Sequence, residues 1–195
     1  MIASRPNPSL LIAVLLAGLM ALTRYHHFGS SAFLPDASFA VFLLAGFYLR
    51  SPWWLALFMA EAALIDSVTI SGGVSSFCVT PAYAFLIPTY GVLWLAGRVY
   101  GRWHRWAWAT LVPLAAVVLV SAVTAFLISS GSFYLFSGYF AEMSGPEYAG
   151  RVTRYFLPYL TSACLYVALA AMIHVAVRTG LIASRPGTDI SAGPR

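Results

Sequence analysis

Long apolar runs separated by short polar segments cover almost the whole chain. A helix needs about 20 apolar residues to cross a bilayer, and somewhat fewer where the bilayer is thin. Six runs fit this pattern, at positions 8–23, 32–49, 52–70, 81–97, 106–129 and 152–177. The first run follows Arg5 in the manner of a signal peptide, but we expect it to be retained as a short transmembrane helix. The pattern therefore predicts six membrane-spanning helices.

The composition leads to the same class of protein. Hydrophobic residues make up 61% of the chain and charged residues 9%, whereas an ordinary soluble domain has about 25% charged residues. So few charges could not cover a soluble fold, which excludes a soluble enzyme, a disordered scaffold and a disulfide-rich secreted module. We predict an all-α integral membrane protein in which residues 1–183 form a six-helix membrane domain. The polar, Pro- and Gly-containing residues 184–195 are predicted to be a disordered cytoplasmic tail.

The basic residues predict the orientation of this bundle, and all eleven of them are arginines. A cytoplasmic N-terminus places eight in cytoplasmic segments, namely Arg5, Arg50, Arg98, Arg102, Arg105, Arg178, Arg185 and Arg195. The other three, Arg24, Arg151 and Arg154, then lie outside. Cytoplasmic loops of membrane proteins carry an excess of Lys and Arg. We therefore predict that both termini are cytoplasmic.

The same charges argue against two other functions. The net charge of +5 comes from arginines scattered between apolar runs, so it indicates membrane topology and not a nucleic-acid partner. The chain has no Lys, and a nucleotide-binding P-loop requires one after its second glycine. The protein is therefore not expected to be an ATPase by itself.

Three predicted outward loops, at 24–31, 71–80 and 130–150, carry most of the unusual side chains. Cys78 follows two glycines and precedes Pro81, a favourable first residue of a helix. A thiol at the start of a helix is favoured as the thiolate, which is the form that binds soft metals. Alternatively, Cys78 is a small hydrophobic side chain in a loop. Tyr83 is close enough in sequence to share a pocket with Cys78, or it belongs to the aromatic belt at the lipid interface.

Histidines and aromatic side chains add further candidates. His26 and His27 are adjacent just beyond the first run. They are candidates for an axial ligand or a hydrogen-bond donor to a ligand, and alternatively form an interfacial pair. The third outward loop contains six aromatic residues, namely Phe133, Tyr134, Phe136, Tyr139, Phe140 and Tyr148. A polar loop would suffice to join two helices, so this set favours a lid over a large, partly apolar ligand.

Acidic residues are rare, and two of them fall within the third apolar run. Glu61 is near the centre of the span, where a carboxylate costs about 3 kcal/mol, so it is expected to face the bundle interior. Asp66 is near the outer end and either lines an outward cavity or makes a structural hydrogen bond. The two lie about 140° apart around a helix, which excludes a paired-carboxylate catalytic site. Asp36 is predicted to cap the second helix.

Small residues recur in the first run at four-residue spacing, at Ala13, Ala17 and Ala21. A row of small side chains lets another helix approach closely. The partner helix could belong to this chain or to another protein.

Several of these features together resemble a known family. The resemblance is carried by Ser76-Phe-Cys78-Val-Thr-Pro-Ala-Tyr83, Leu64-Ile-Asp66-Ser, Tyr25-His-His-Phe28 and the alanine row of the first run. The chain resembles the substrate-binding S-components of energy-coupling factor (ECF) vitamin transporters, which are small six-helix proteins with both termini inside. Within that group it is most similar to the BtuM family of cobalamin S-components.

The resemblance implies that the substrate is cobalamin (vitamin B12), bound from the extracytoplasmic side with the Cys78 thiolate on its cobalt. It implies that further side chains surround the corrin, namely Asp66, Ser75, Ser76, Phe77, Tyr83, Tyr134, Tyr139, His26 and His27. A strong donor on one cobalt face would also weaken the bond on the other, so removal of an upper ligand such as cyanide is a possible enzymatic role.

The resemblance also implies a location and partners. The chain would be a multi-pass protein of the inner membrane of a bacterium, surrounded by lipid. Ala13, Ala17 and Ala21 would dock a transmembrane coupling subunit, and separate ATPases would supply the energy. Three alternatives stay open: a carrier for another small vitamin or metabolite, a thiol-dependent membrane enzyme using Cys78, and a structural or assembly subunit.

Overall fold

A computed structural model describes residues 7–24, 34–49 and 51–183, with the side chains of 181–183 excepted. Within these ranges the chain forms six α-helices and no β-strand, which confirms the all-α class. The helices are α1 (Pro8–Arg24), α2 (Ser38–Tyr48), α3 (Trp53–Ser71), α4 (Leu86–Trp103), α5 (Leu111–Phe136) and α6 (Gly145–Ala183). Short 3-10 turns occur at Ser76–Cys78, Pro81–Phe85 and Trp108–Thr110. The histidines at 26 and 27 and the tail 184–195 lie outside the described residues.

Three stretches are long and apolar enough to cross a membrane, namely Trp53–Ser71, Trp108–Phe136 and Gly145–Gly180. The helices α1 and α2 are apolar but shorter. Large apolar side chains on the outside of the bundle are widely exposed, including Leu15 at 63% and Leu22 at 70%. Length and composition thus indicate a membrane protein.

The second predicted span differs most from the structure. Its helical part, α2, has only 11 residues, which corresponds to about 16 Å of helix and is shorter than the hydrocarbon core of a bilayer. Every residue from Ser38 to Gly46 is buried. A helix that is apolar on all sides suits either lipid or a protein core, and here α2 is the central helix of the core.

The closest packing in the bundle is between α2 and α4. A Cβ atom on Gly46 would lie 1.9 Å from the carbonyl oxygen of Trp94, and one on Gly97 would lie 1.9 Å from that of Leu43. Both clashes are with backbone atoms, so only glycine permits this contact. Next to it, the rings of Phe42 and Tyr90 stack with centroids 4.1 Å apart.

The alanine row of α1 does not form one exposed surface. Ala13 is buried at 3% exposure, Ala17 is partly buried and Ala21 is exposed. Ala13 is therefore part of the core and is not available for docking another protein, contrary to what the resemblance implies. The reason is geometric, because each four-residue step rotates about 40° around a helix, so the row turns from the core side to the outer side.

The predicted aromatic loop is also shorter than expected. Helix α5 continues to Phe136 and α6 begins at Gly145, so only residues 137–144 connect them. Most of the aromatic side chains expected in a flexible lid therefore stand on helices. The helix α6 contains Pro158 and extends over 39 residues, well beyond the predicted span.

Side-chain bonds define the two ends of the bundle. At one end, the start of α2 and the ends of α1 and α3 meet near Cys78, and we name this the Cys78 end. At the other, Tyr48 at the end of α2 bonds His174 of α6, and His104 follows α4. We name this the His104 end.

Candidate functional site

A buried arginine is the centre of a polar network at the Cys78 end. Arg24, the last residue of α1, is 7% exposed. Its Nε donates to Oδ1 of Asp66 at 2.7 Å and its Nη2 to Oδ2 at 2.6 Å. Its Nη1 donates to the hydroxyls of Ser38 at 3.0 Å and Tyr90 at 2.7 Å. A buried charge is tolerated when a paired charge and hydrogen bonds compensate it, and all three nitrogens of this guanidinium are bonded.

The carboxylate of Asp66 has a second role in the same network. The hydroxyl of Tyr83 donates to its Oδ2 at 2.7 Å. The pair Arg24–Asp66 therefore joins α1 to α3, and Tyr83 attaches the turn Pro81–Phe85 to them. Asp36 stands behind Ser38, accepting from its backbone N–H at 2.9 Å and from its hydroxyl at 2.6 Å. The N-cap residue of α2 is Ala37 and no side chain caps the helix there, so the prediction that Asp36 is the N-cap is wrong, although Asp36 bonds the first residue of the helix.

A cavity of about 490 Å³ lies over this network, a volume within the usual range for small-molecule sites. Arg24, Asp36, Asp66 and Tyr90 form its polar floor. Its walls are largely aromatic and include Phe77, Tyr83, Phe133, Phe140, Tyr148 and Tyr159. The cavity can therefore accept a drug-sized ligand, or one part of a larger ligand, that is partly apolar and carries hydrogen-bonding groups.

The thiol of Cys78 belongs to the wall of this cavity. Cys78 ends the 3-10 turn Ser76–Cys78. Ser75 caps this turn, because its Oγ accepts from the N–H of Phe77, the second residue of the turn, at 3.2 Å. The thiol does not stand at a helix N-terminus, because the 3-10 turn Pro81–Phe85 intervenes before α4. Partial burial raises the pKa of Cys78, the Asp66 carboxylate raises it further, and Arg24 lowers it. The expectation of a favoured thiolate is therefore wrong for the unliganded protein.

Aromatic contacts hold the Cys78 turn against α5. The ring of Phe77 stacks on Tyr139 with centroids 4.4 Å apart and meets the edge of Phe133 at 5.5 Å. The hydroxyl of Tyr134 donates to the Met143 carbonyl at 2.8 Å. This bond ties α5 to the connection 137–144, so the Tyr134 hydroxyl has a structural role.

The structure brings together four of the side chains expected at the site, because Asp66, Phe77, Cys78 and Tyr83 all line the cavity. Ser75, Ser76, Tyr134 and Tyr139 are nearby but do not form its wall. His26 and His27 lie outside the described residues. Glu61 is half-buried on α3 and does not line the cavity.

Arginines were missed as site residues by the sequence reasoning, which used them only for topology. Arg24 forms the floor, and Arg151 and Arg154 of α6 line the cavity. Arg151 forms an exposed ion pair with Glu147 at 3.1 Å, and the guanidinium of Arg154 lies 5.0 Å from the centroid of the Tyr155 ring. An arginine at the end of an apolar run can indicate a site residue, but the sequence does not show which side chain pairs with that arginine.

Within the described ranges, no three His, Cys, Asp or Glu side chains converge into a group that could hold a metal ion. No protein-family model matches the chain, and no curated protein matches its sequence at a significant level.

Proposed function

We propose that the protein is a substrate-binding component for cobalamin uptake, of the kind found in energy-coupling factor transporters. It crosses the inner membrane of a bacterium six times, with both termini cytoplasmic, so that the Cys78 end faces outward. The single observation that carries the proposal is that the Cys78 thiol and the Arg24–Asp66–Tyr83 network line one cavity of about 490 Å³.

The chemistry of a corrinoid suits this cavity in two ways. A corrinoid brings its own cobalt, so one protein thiolate is enough to complete an axial position. Its broad ring has an apolar face for the aromatic walls, and its amide arms need donors and acceptors such as those of Tyr83 and Asp66. The arginines on α6 give the cavity rim a positive charge that suits an anionic group of the ligand.

Cobalt ligation by Cys78 must release a proton. Metal ligands bind as the deprotonated form, and burial raises the pKa of the Cys78 thiol in the free protein. Affinity for a corrinoid therefore increases as pH rises toward that pKa. A thiolate on one cobalt face also weakens the opposite bond, so the proposal includes loss of cyanide, leaving with its electron pair, from the upper face.

The energy for transport comes from other proteins in this proposal. A transmembrane coupling subunit packs against the exposed small residues of α1, Gly18 and Ala21, since Ala13 is in the core. Associated ATPases bind the nucleotide. Ala17 lies at the boundary between the two faces.

The deciding experiment is visible absorption spectroscopy of the purified full chain with added cobalamin. The protein with Cys78 is expected to give a shifted corrinoid spectrum. The variant Cys78→Ser keeps the side-chain size but removes the soft donor, so it should lose the shift and bind at least about tenfold more weakly, equivalent to about 1.4 kcal/mol. The control Cys164→Ser changes the exposed thiol of α6 and should behave as the parent.

Two results would contradict the proposal. An unchanged spectrum in Cys78→Ser would show that Cys78 is not the cobalt ligand. A parent protein that binds no corrinoid would show that cobalamin is not the substrate. The second result would favour a carrier for another small molecule or a thiol-dependent membrane enzyme.

A further inference from the structure

A second cavity, of about 340 Å³, lies at the His104 end. It is enclosed by α2, α4, α5 and α6 and by the segment that joins α4 to α5. It shares no lining residue with the cavity beside Cys78. The cobalamin proposal therefore does not account for it.

One part of the lining of this cavity is apolar. Its lining includes Leu43, Phe47, Leu114, Val167, Ala171 and Val175. These side chains come from α2, α5 and α6 and surround a space that a hydrocarbon chain could fill. A hydrocarbon chain in this space would make van der Waals contacts with these side chains.

Two imidazoles stand together in the polar part of the cavity. The rings of His104 and His174 meet edge to face with centroids 5.8 Å apart. Tyr100 bonds Nδ1 of His104 at 3.1 Å, and Tyr48 bonds Nδ1 of His174 at 3.0 Å. In the described part of the chain, no hydrogen bond engages Nε2 of either ring. These two nitrogens are left for a ligand.

The charge of the lining has one sign. Among the residues that the structure describes, Arg105 lines the cavity together with the two histidines, and no Asp or Glu does. Arg178 lies one helical turn from His174 on α6. Exposed indoles stand at the same level, with Trp106 at 53% and Trp108 at 81% exposure, as is typical of the membrane–water interface. The polar part is therefore suited to an anion at the depth of lipid headgroups.

We propose that this cavity binds one anionic phospholipid, with an acyl chain in the apolar part and the phosphate against His104, His174 and Arg105. Basic pockets between transmembrane helices are a recognised way to hold acidic headgroups. A metal cation fits less well, because the described lining residues offer two imidazoles beside an arginine, and none of them is a carboxylate or a thiol. The binding holds for either orientation of the chain, and under the proposed topology the lipid belongs to the cytoplasmic leaflet.

The test uses the full chain purified in detergent and two lipids with identical oleoyl chains, phosphatidylglycerol and phosphatidylcholine. A ligand that binds only the folded state raises the unfolding temperature. For a chain of this size the rise is about 5 to 10 °C at a concentration about 100 times Kd. We expect this rise with phosphatidylglycerol and less than half of it with phosphatidylcholine. Inorganic phosphate at the same concentration should give no rise, because it has no acyl chain.

Two variants locate the effect, each with a matched control. Ala171→Phe fills the apolar part and should abolish the rise, whereas Ala168→Phe, on the exposed side of α6, should retain it. Arg105→Gln should remove the preference for phosphatidylglycerol, whereas Arg102→Gln, which lies outside the cavity lining, should keep it. Arg105 is exposed, so its variant tests the site even if Ala171→Phe fails to fold.

The proposal is overturned by any of three results. Equal stabilisation by the two lipids would show that the site does not recognise the anionic headgroup. Equal stabilisation by inorganic phosphate would show that the acyl chain does not contribute to binding. An unchanged phosphatidylglycerol preference in Arg105→Gln would place the lipid elsewhere on the protein. None of these results bears on cobalamin binding at the Cys78 end, so the two proposals fail separately.

Discussion

The guanidinium of Arg24 joins α1 to three other helices at the Cys78 end. It bonds Asp66 of α3, Ser38 of α2 and Tyr90 of α4. When both partners of an ion pair are buried, removing one of them leaves the other charge unpaired and lowers the stability of the fold. The network therefore makes the shape of the cavity floor dependent on two charged residues.

Removing one partner of this pair should be costly. Asp66→Ala leaves Arg24 charged and unpaired, and we expect a loss of about 3 to 5 kcal/mol in the free energy of unfolding. Combining Asp66→Ala with Arg24→Met should cost less than the sum of the two single changes, as a double-mutant cycle would measure. The control Glu147→Gln breaks the exposed pair with Arg151 and should cost about 0 to 1 kcal/mol. Similar losses for Asp66→Ala and Glu147→Gln would contradict the stabilising role of the network.

The thiol of Cys78 should also respond to pH in a characteristic way. Burial raises its pKa, so at neutral pH it is less ionised than an ordinary exposed cysteine, whose pKa is about 8.5. Alkylation by iodoacetamide in a Cys164→Ser background should therefore be slow at pH 7. The rate should increase with pH, with a midpoint above the ordinary cysteine pKa of about 8.5. A cysteine introduced by Ser76→Cys in a Cys78→Ser, Cys164→Ser background is the matched control on the same turn. A lower midpoint for Cys78 than for the control would show that the thiolate is favoured after all.

Helix α2 has an unusual position for so apolar a segment. It is short, its residues from Ser38 to Gly46 are buried, and it packs most closely on α4. The approach is possible because Gly46 and Gly97 present no side chain to the facing backbone. Small residues serve the same purpose in membrane helix pairs generally.

Adding one methyl group at this contact should force the two helices apart. Gly97→Ala would place its Cβ 1.9 Å from the Leu43 carbonyl oxygen, and overpacking of this kind costs about 1 to 3 kcal/mol or more. The thermal unfolding midpoint in detergent should fall accordingly. Gly18→Ala is the control, because a Cβ there meets no atom within 4 Å, and it should be neutral or slightly stabilising. Equal midpoints for the two variants would contradict the close contact.

At the scale of the whole molecule, the cavities at the Cys78 end and at the His104 end lie at opposite ends of the described bundle. The function proposed for each cavity therefore depends on the orientation of the chain in the membrane. The Cys78 end offers a thiol and a charged floor, and the His104 end offers two imidazoles and the guanidinium of Arg105. Under the proposed topology the first end receives substrate from outside and the second meets the cytoplasmic leaflet.

Orientation can be measured with an impermeant maleimide on intact cells. Cys78 is exposed, so reagent added outside should label it, and bound cobalamin should protect it. A Cys78→Ser variant is the control for labelling of Cys164. Labelling of Cys78 only after the inner face is opened would reverse the topology.

The sequence by itself determined the class of this protein and the positions of most helices. Apolar runs and scarce charges are local properties, and they decide whether a segment prefers lipid or a dry core before any tertiary contact forms. They do not separate those two environments, so the run at 32–49 was predicted as a span, but its place as the buried central helix of the bundle was not predicted. The neighbourhood of Cys78 and Tyr83 was also predictable, because they are only five residues apart.

Only the tertiary structure decided which distant residues meet. Arg24 and Asp66 are 42 positions apart, and no periodicity links them, because the pairing depends on which helices lie side by side. The same holds for Tyr48 and His174, 126 positions apart, and for the glycines that set the distance between α2 and α4. The alanine row of α1 was misjudged for a related reason, since its spacing is local but the direction in which Ala13 faces is set by the neighbouring helices.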